Sequence, residues 1–246
     1  MLFEAEWTRE SISASFDPLN QRPATPEVEE QIAARWAAAE HDAAKHHRLL
    51  FPGPLARVLR YESNEKRLNL WLGPADYRDY LGTREIEHAA FRADPLSACA
   101  VVRTSDGKIL VGRRGQSSME GAGLWHVMAG YVDPTLDKKA DGIDPFATIV
   151  REIEEETGFP RGEVSAVCLA LLRWNMEHKF ELIFAAETPR SFRDLRPLEQ
   201  EHDEFRAIDD NPQAIRAFLK EAGGHIAKSG AACLVRYAAW RYGAAL

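Results

Sequence analysis

The amino-acid sequence predicts an α+β protein. Two strand-like runs flank the polar segment 63–66, and two more, 98–104 and 108–112, flank a Ser-Asp-Gly hairpin signal. The most clearly bounded helix begins at Asp144-Pro145 and ends at Gly158. The change to a strand-rich pattern divides the chain into an N-terminal α+β extension, residues 1–93, and a main domain, residues 94–246.

Hydrophobic periodicity and turn residues predict the remaining elements in order. In the extension they are a strand over 1–8, a helix over 26–47, strands over 56–61 and 67–72, and a short helix or turn over 75–81. In the main domain they are strands over 98–104, 108–112 and 125–132, a polar surface loop over 133–142, a helix over 145–157, strands over 163–174, 179–186 and 205–208, and helices over 212–221 and 226–242. Residues 9–25 are expected to be a connection without a strand.

The composition excludes several functional classes. The chain has 246 residues and a net charge of −7, which argues against a broad nucleic-acid-binding surface. We expect no membrane partner, because the N-terminus lacks a signal-like pattern and no apolar run approaches the length of a bilayer span. Cys99, Cys168 and Cys233 are widely spaced among apolar neighbours, which predicts reduced core cysteines and a cytoplasmic protein.

The helix over 145–157 carries a concentrated negative charge. Glu152, Glu155 and Glu156 fall within an arc of about 100° on its surface. A different side carries an apolar stripe with i, i+3, i+4, i+7 spacing: Phe146, Ile149, Val150 and Ile153. Like charges at such spacings destabilise a helix, and a divalent cation would remove that cost. The alternative is a solvated acidic face, the usual meaning of consecutive glutamates.

The stretch 151–159 resembles the second half of the Nudix box, whose pattern is Arg-Glu-apolar-x-Glu-Glu-x-Gly-apolar. All specified positions are filled, by Arg151, Glu152, Ile153, Glu155, Glu156, Gly158 and Phe159. This resemblance implies the Nudix fold, an α/β/α sandwich with a mixed sheet, here preceded by the N-terminal extension.

The first half of the box departs from the family pattern. The pattern has a Glu at the position of Ile143 and a Gly at the position of Asp137, although residues 123–130 resemble the strand and turn that open the box. We therefore expect an insertion within 133–142 that forms a surface excursion. Asp141 or Asp144 is the expected replacement for the missing carboxylate.

The resemblance also implies a metal-dependent reaction, in which water attacks a diphosphate linked to another moiety. The implied ligands of Mg²⁺ or Mn²⁺ are Glu152, Glu155, Glu156 and the carbonyl group of Gly130, and carboxylate oxygens suit these hard cations. Arg151 would hold the carboxylates in position, since it lies four residues before Glu155.

A further glutamate, distant in sequence, often serves Nudix enzymes as a ligand or base. The acidic cluster 199–204 precedes a predicted strand, and within it Glu201 is the preferred candidate and Glu204 the second. Glu181 is another candidate. For each of them a plain solvated carboxylate is an equal alternative. The predicted catalytic set is therefore Arg151, Glu152, Glu155 and Glu201.

Several motifs outside the helix resemble the animal Nudix branch that hydrolyses UDP-glucose and UDP-galactose to UMP and a sugar 1-phosphate. They are Tyr77-Arg-Asp-Tyr-Leu-Gly-Thr83, Ala93-Asp-Pro-Leu96, Leu50-Phe51 and the helix that contains Trp36. That branch also lacks the Glu at the position of Ile143. The resemblance implies a small nucleotide substrate and favours a UDP-sugar.

Three residues are expected to contact this substrate: Tyr77, Arg78 and Arg114. Internal packing is the alternative for Tyr77 and Arg78, and edge-strand solubility is the alternative for Arg113-Arg114. Other candidate substrates are ADP-ribose, a dinucleotide or a coenzyme A derivative. A third hypothesis is that the protein is a non-catalytic sensor of nucleotide sugars. The N-terminal extension could form a homodimer interface or build the substrate pocket.

Overall fold

The structure, a computed structural model, describes residues 2–198 and 201–245. Its elements follow in chain order: β1 (Phe3–Trp7), β2 (Ile12–Phe16), α1 (Pro26–His46), β3 (Pro54–Ser63), β4 (Leu68–Asp76), α2 (Tyr77–Thr83), β5 (Leu96–Arg103), β6 (Lys108–Arg114), β7 (Trp125–His126), β8 (Met128–Tyr131), β9 (Lys138–Lys139), β10 (Gly142–Ile143), α3 (Pro145–Thr157), β11 (Ser165–Trp174), β12 (Lys179–Glu187), β13 (His202–Asp209), α4 (Pro212–Ala222) and α5 (Lys228–Tyr242).

An eight-stranded mixed sheet forms the centre of the protein. Its main path runs β1-β11-β12-β5-β6-β13, while the short strands β7 and β8 pair with β6 and β5. Strand β12 is parallel to β5, and the other pairs of this sheet are antiparallel. A separate sheet has the order β2-β4-β3, and β9 pairs with β10. The predicted mixed sheet is therefore confirmed.

Layers of secondary structure cover both faces of the large sheet. Successive side chains of a strand point to opposite faces, and β5 shows this alternation clearly. Its residues Ala98, Ala100 and Val102 belong to a core shared with α3 and the three-stranded sheet. Cys99 and Val101 belong to the core on the other face, shared with α4 and α5. This arrangement confirms the predicted sandwich.

Most predicted elements exist, but four local expectations are wrong. Residues 9–25 contain β2, which pairs in parallel with β4. The predicted strand 125–132 is divided into β7 and β8. The predicted loop 133–142 contains β9 and the start of β10. Strand β6, which ends at Arg113-Arg114, lies between β5 and β13, so edge-strand solubility does not explain these arginines.

Strand β1 links the predicted N-terminal extension to the large sheet. It pairs with β11, and its last residue, Trp7, is fully buried. The other strands of residues 1–93 form the three-stranded sheet, which packs on the α3 face. Across the described ranges 2–198 and 201–245, no helix has the length and apolar character needed to cross a membrane.

Candidate active site

Helix α3 begins and ends where its sequence predicts. The side chain of Asp144 accepts a hydrogen bond from the backbone N–H of Phe146 at 3.0 Å, which caps the N-terminus. Gly158 ends the helix with φ 75°, a left-handed conformation that favours glycine. Ile149 and Ile153 are fully buried, so the rotation of the helix is fixed and its glutamates face strand β8.

Arg151 gathers the charged groups of the site. Its Nη1 donates to Glu152 Oε1 at 2.7 Å and to Glu155 Oε2 at 3.0 Å. Its Nε donates to Asp137 Oδ1 at 3.1 Å, and its Nη2 donates to the carbonyl oxygen of Tyr131 at 3.4 Å. The planar guanidinium holds these groups in a fixed arrangement, because it presents its N–H donors in a rigid fork.

Asp137, in the segment between β8 and β9, is a buried carboxylate that pairs with Arg151. It is 1% exposed, and its Oδ2 accepts a hydrogen bond from the Thr148 hydroxyl at 2.7 Å. The expected replacements were wrong: the side chain of Asp141 is 85% exposed, and Asp144 caps the helix. The stretch 133–142 is thus not a plain surface excursion, because Asp137 turns inward to pair with Arg151.

The backbone of β8 approaches the glutamates very closely. A Cβ atom added at Gly130 would lie 2.1 Å from both Cδ and Oε1 of Glu152. The neighbouring Ala129 donates its backbone N–H to Glu156 Oε1 at 3.4 Å. Only glycine leaves room for the Glu152 carboxylate at this distance, so the backbone of β8 and the acidic face of α3 form one site.

Burial and mutual repulsion raise the pKa values of two of these glutamates. Burial, with the charges of Glu155 and Glu201, raises the pKa of Glu152 to about 7, although Arg151 opposes the change. Burial, with the charges of Glu152 and Glu201, raises the pKa of Glu156 well above its usual value. The positive charges of Arg151 and Arg114 thus do not offset the effect of burial and of the neighbouring carboxylates.

The carboxylates of this site suit a hard divalent cation by their chemistry, although they are not arranged as a complete metal-binding site. Glu156 Oε2 is buried and has no hydrogen-bond partner among the described residues. Within ranges 2–198 and 201–245, no group of three or more His, Cys, Asp or Glu residues is arranged to hold a metal ion. Glu152 and Glu155 instead bind Arg151.

Glu201 and Arg114 lie at the edge of this acidic cluster. The carbonyl oxygen of Glu201 accepts a hydrogen bond from Gly115 N at 2.8 Å, and this joins the start of β13 to the end of β6. The charge of Glu201 contributes to the raised pKa values of Glu152 and Glu156. Arg114 opposes the rise at Glu156, and its Nε has no partner among the described residues.

The other acidic candidates are placed differently. The side chain of Glu204 is half-exposed, and its Oε2 lies 3.6 Å from Arg113 Nε. Glu181 is 2% exposed, and its two oxygens accept hydrogen bonds from the Ser97 hydroxyl at 3.3 Å and from Trp174 Nε1 at 2.8 Å. Glu199, in the predicted acidic cluster, lies outside the described residues.

Tyr77 and Arg78, at the start of α2, do not contact the glutamates of α3 directly. The hydroxyl of Tyr77 donates to Glu120 Oε1 at 3.2 Å, and the hydroxyl of Tyr131 donates to Glu120 Oε2 at 3.1 Å. Tyr131 thus connects α2 to Arg151, which its carbonyl group binds. Arg78 is half-buried, and its Nε has no partner in the described part of the chain.

Sequence reasoning missed three residues of this site: Asp137, Tyr131 and Glu120. Each of them reaches its partner through a contact between distant parts of the chain. The polar surroundings of Asp137 and Glu120 indicate loops, and no periodic pattern marks either residue. Only the Gly-x-Gly spacing at 121–123, beside Glu120, indicated a constrained turn there.

Comparison with known proteins identifies the family. The NUDIX domain family matches residues 93–222, which is more than half of the chain. The protein belongs to the Nudix family. Its main sheet, α3 and α4 lie mostly within the matched residues, and β1 to β4 precede them.

Two curated relatives of this Nudix protein carry the name uridine diphosphate glucose pyrophosphatase NUDT22. The mouse protein is 26% identical over 184 residues, which cover 62% of this chain and 58% of the relative. The human protein is 30% identical over 146 residues, which cover 51% of this chain and 47% of the relative. The chain thus spans about half the length of the curated relatives that it matches.

Two solved structures also resemble the chain in fold. DR0079 from Deinococcus radiodurans is 16% identical, with a TM-score of 0.47, and the match covers 74% of this chain and 98% of that chain. The Ap4A hydrolase of C. elegans is 18% identical, with a TM-score of 0.44, and the match covers 60% of this chain and 99% of that chain.

Proposed function

We propose that this Nudix protein is a metal-dependent hydrolase of nucleoside diphosphate sugars, with UDP-glucose or UDP-galactose as substrate and with UMP and a sugar 1-phosphate as products. The observation that carries the proposal is the pair of buried carboxylates, Glu152 and Glu156, packed against the backbone at Gly130 and Ala129. The choice of substrate is supported by the names of the two curated relatives.

The proposed ligands of Mg²⁺ or Mn²⁺ are Glu152, Glu155, Glu156 and the Gly130 carbonyl group. The unpartnered Oε2 of Glu156 supports this assignment, since a buried carboxylate oxygen calls for a cation or a donor. When bound, such an ion would supply the positive charge that neutralises diphosphate oxygens and acidifies a water molecule.

The other residues of the site have complementary proposed roles. Arg151 positions Glu152 and Glu155 through its hydrogen bonds. Glu201 acts as the base that takes a proton from the attacking water, and Arg114 binds a phosphate oxygen. Water adds to one phosphorus atom, and the bridging oxygen leaves with the other phosphate.

The extension has a proposed role in the same site. We assign residues 1–93 to an extension that supplies the substrate contacts Tyr77 and Arg78, and residues 94–246 to the hydrolase domain. The hydrogen bond from Tyr77 to Glu120, which joins the two parts of the chain, supports this assignment.

The test is hydrolysis of a panel of compounds with Mg²⁺ or Mn²⁺: UDP-glucose, UDP-galactose, ADP-ribose, a dinucleoside polyphosphate and coenzyme A. We expect the UDP-sugars to be hydrolysed fastest. Faster hydrolysis of another compound would reject the UDP-sugar assignment, and no hydrolysis together with tight binding of UDP-glucose would indicate a sensor.

Substitutions on α3 test the metal site. Glu155→Gln and Glu156→Gln should each lower kcat by about a hundredfold or more, since each removes an anionic ligand. Glu156→Gln should stay folded, because burial already favours the neutral form of this carboxyl group. Glu163→Gln is the matched control, since Glu163 pairs with Arg190 away from the cluster and the variant should retain full activity. Full activity in both test variants would remove the metal-site assignment.

A further inference from the structure

A polar cluster lies beside the proposed metal site, around Glu120 in the segment between β6 and β7. Glu120 Oε1 accepts a hydrogen bond from the Tyr77 hydroxyl at 3.2 Å, and Oε2 accepts one from the Tyr131 hydroxyl at 3.1 Å. Each carboxylate oxygen thus has one fixed donor. Because an ionised carboxylate offers about four acceptor positions, each oxygen keeps a position for a further donor.

The tyrosine hydroxyls remain donors across the physiological pH range. Burial and the charge of Glu120 raise the pKa of Tyr77 and the pKa of Tyr131 far above the usual value. Burial raises the pKa of Tyr80 to about 12. The three rings pack around one another with centroid distances of 5.9–6.1 Å, so the two donors are held in place.

The segment that carries Glu120 is itself fixed at its ends. Gly123 N donates to the Arg114 carbonyl oxygen at 2.8 Å, and Arg114 N donates to the Leu124 carbonyl oxygen at 2.9 Å. Nearer its start, the Ser117 carbonyl oxygen accepts a hydrogen bond from Leu49 N at 3.2 Å. The carboxylate of Glu120 is therefore held by backbone and by side-chain contacts.

Strand β8 joins this cluster to the proposed metal site. Its consecutive residues Ala129, Gly130 and Tyr131 are all partly exposed and contact, in turn, Glu156, Glu152 and Arg151. Side chains alternate along a strand, so the Tyr131 ring lies on the opposite side of β8 from the point where Gly130 meets Glu152. Among the described residues β8 pairs with β5 alone, so a substrate with its diphosphate at the glutamates reaches Glu120 around the unpaired edge of β8.

The charge of the cluster selects the kind of group that it can bind. The free positions on Glu120 are acceptors, and a carboxylate repels phosphate, so the part of a nucleotide sugar that it can bind is an uncharged group that donates hydrogen bonds. Lys179 lies 6.0 Å from the centre of the Tyr131 ring, and its charge is shared among Glu181, Glu120 and Glu177. Two hydroxyls on adjacent carbon atoms match the two free acceptor positions of one carboxylate.

We propose that Glu120 is a specificity residue that binds a vicinal diol of the nucleotide sugar, and that Tyr77 and Tyr131 position its carboxylate. This inference rests on the proposed function, and it adds the part of the substrate that is recognised beside the diphosphate. The diol can belong to the hexose or to the ribose, since both present adjacent hydroxyls.

The test combines protein variants with substrates that lack one diol. The substrates are UDP-glucose, UDP-3-deoxyglucose, in which every vicinal diol of the hexose is broken, and 2′-deoxyuridine diphosphate glucose, in which the ribose diol is broken. The wild-type protein should lose roughly ten- to hundredfold in kcat/KM on one deoxy substrate, mainly through KM, because a hydrogen bond to a charged group is lost. The substrate that is affected identifies the sugar.

In Glu120→Gln, kcat/KM for UDP-glucose should fall by a similar factor. With the deoxy substrate that affects the wild type, kcat/KM of this variant should fall little further. Tyr131→Phe should keep the Glu120 carboxylate but remove the donor that holds its Oε2, so it should show a smaller loss with the same substrate pattern. Glu62→Gln is the matched control, since Glu62 pairs with Arg60 on the exposed face of β3. Thermal unfolding of each variant separates a loss of recognition from a loss of folding.

The outcomes separate this inference from the proposed function. If the wild type hydrolyses UDP-glucose and Glu120→Gln discriminates against both deoxy substrates as the wild type does, the role of Glu120 is rejected and the proposed function stands. If UDP-glucose is neither hydrolysed nor bound in titration calorimetry, both are rejected. If only ADP-ribose is hydrolysed, Glu120→Gln must weaken its binding for the inference to stand.

Discussion

The close approach between Gly130 and Glu152 gives the sharpest prediction. In a Gly130→Ala variant, the new Cβ would lie 2.1 Å from Cδ and Oε1 of Glu152, whereas ordinary van der Waals contact starts at 3.4 Å. The carboxylate must therefore withdraw by more than about 1 Å, and a misplacement of this size costs about a hundredfold in rate. The withdrawal also strains the 2.7 Å hydrogen bond from Arg151.

Folding should be affected much less than activity. The atoms that must move are the far end of a flexible side chain, and Gly130 is not among the glycines with positive φ. We expect the free energy of unfolding to fall by about 1 kcal/mol, a typical value for a single substitution. Gly130→Ala should thus be a folded protein with very weak metal-dependent hydrolysis.

The assay is hydrolysis of UDP-glucose over a range of Mg²⁺ concentrations, together with chemical unfolding of the same samples. Gly162→Ala is the matched control, because a Cβ atom at Gly162 has no neighbour within 4 Å among the described residues. Activity within a few-fold of wild type in Gly130→Ala, with an unchanged Mg²⁺ requirement, would show that the position of Glu152 against Gly130 has no part in the reaction.

Two further predictions concern buried charge. Asp137→Asn should lower the free energy of unfolding by about 3 kcal/mol, because it breaks a buried ion pair with Arg151. Asp141→Asn, at an exposed position, serves as the control. Equal free energies of unfolding for the two variants in urea would contradict the reasoning. His126 bonds to the Ser229 hydroxyl, and burial first, then the charge of Arg114, lowers the pKa of its imidazole from 6.5 to about 3. The unfolded chain binds the proton more readily than the folded protein does. The contribution of His126 to the free energy of unfolding is therefore complete above pH 6.5, and on the order of 5 kcal/mol is lost as the pH falls toward 3. His126→Gln should flatten this acid loss in unfolding curves measured from pH 7 to pH 4, and parallel curves for both proteins would refute the assignment.

Much of the fold could be predicted because its signals are local. The start and end of α3 follow from Asp144 and Gly158, whose capping roles depend only on neighbouring residues. The Ser-Asp-Gly turn between β5 and β6 is likewise a short-range signal. The spacing of apolar residues on α3 also determined which side of the helix is buried, and so which side presents the glutamates.

Strand β2 shows why other elements could not be predicted. Its sequence, Ile-Ser-Ala-Ser-Phe, alternates apolar and polar residues over five positions only, and it forms a strand by pairing with β4, 56 positions later in the chain. Strand formation depends on such partners more than helix formation does. The same reason explains the division of the predicted strand 125–132, since β7 pairs with β6 and β8 with β5.

By itself, the sequence determined that Glu152, Glu155 and Glu156 share one face of a capped helix and that Arg151 can reach them, because helical spacing sets these relations. Only the tertiary structure decided what meets that face. The carboxylate of Asp137 comes from a segment that looked like a surface loop, and the polar cluster around Glu120 joins Tyr77 to Glu120 across 43 positions of the chain. Such contacts depend on how strands and loops pack against one another, and no periodicity within a single segment records them.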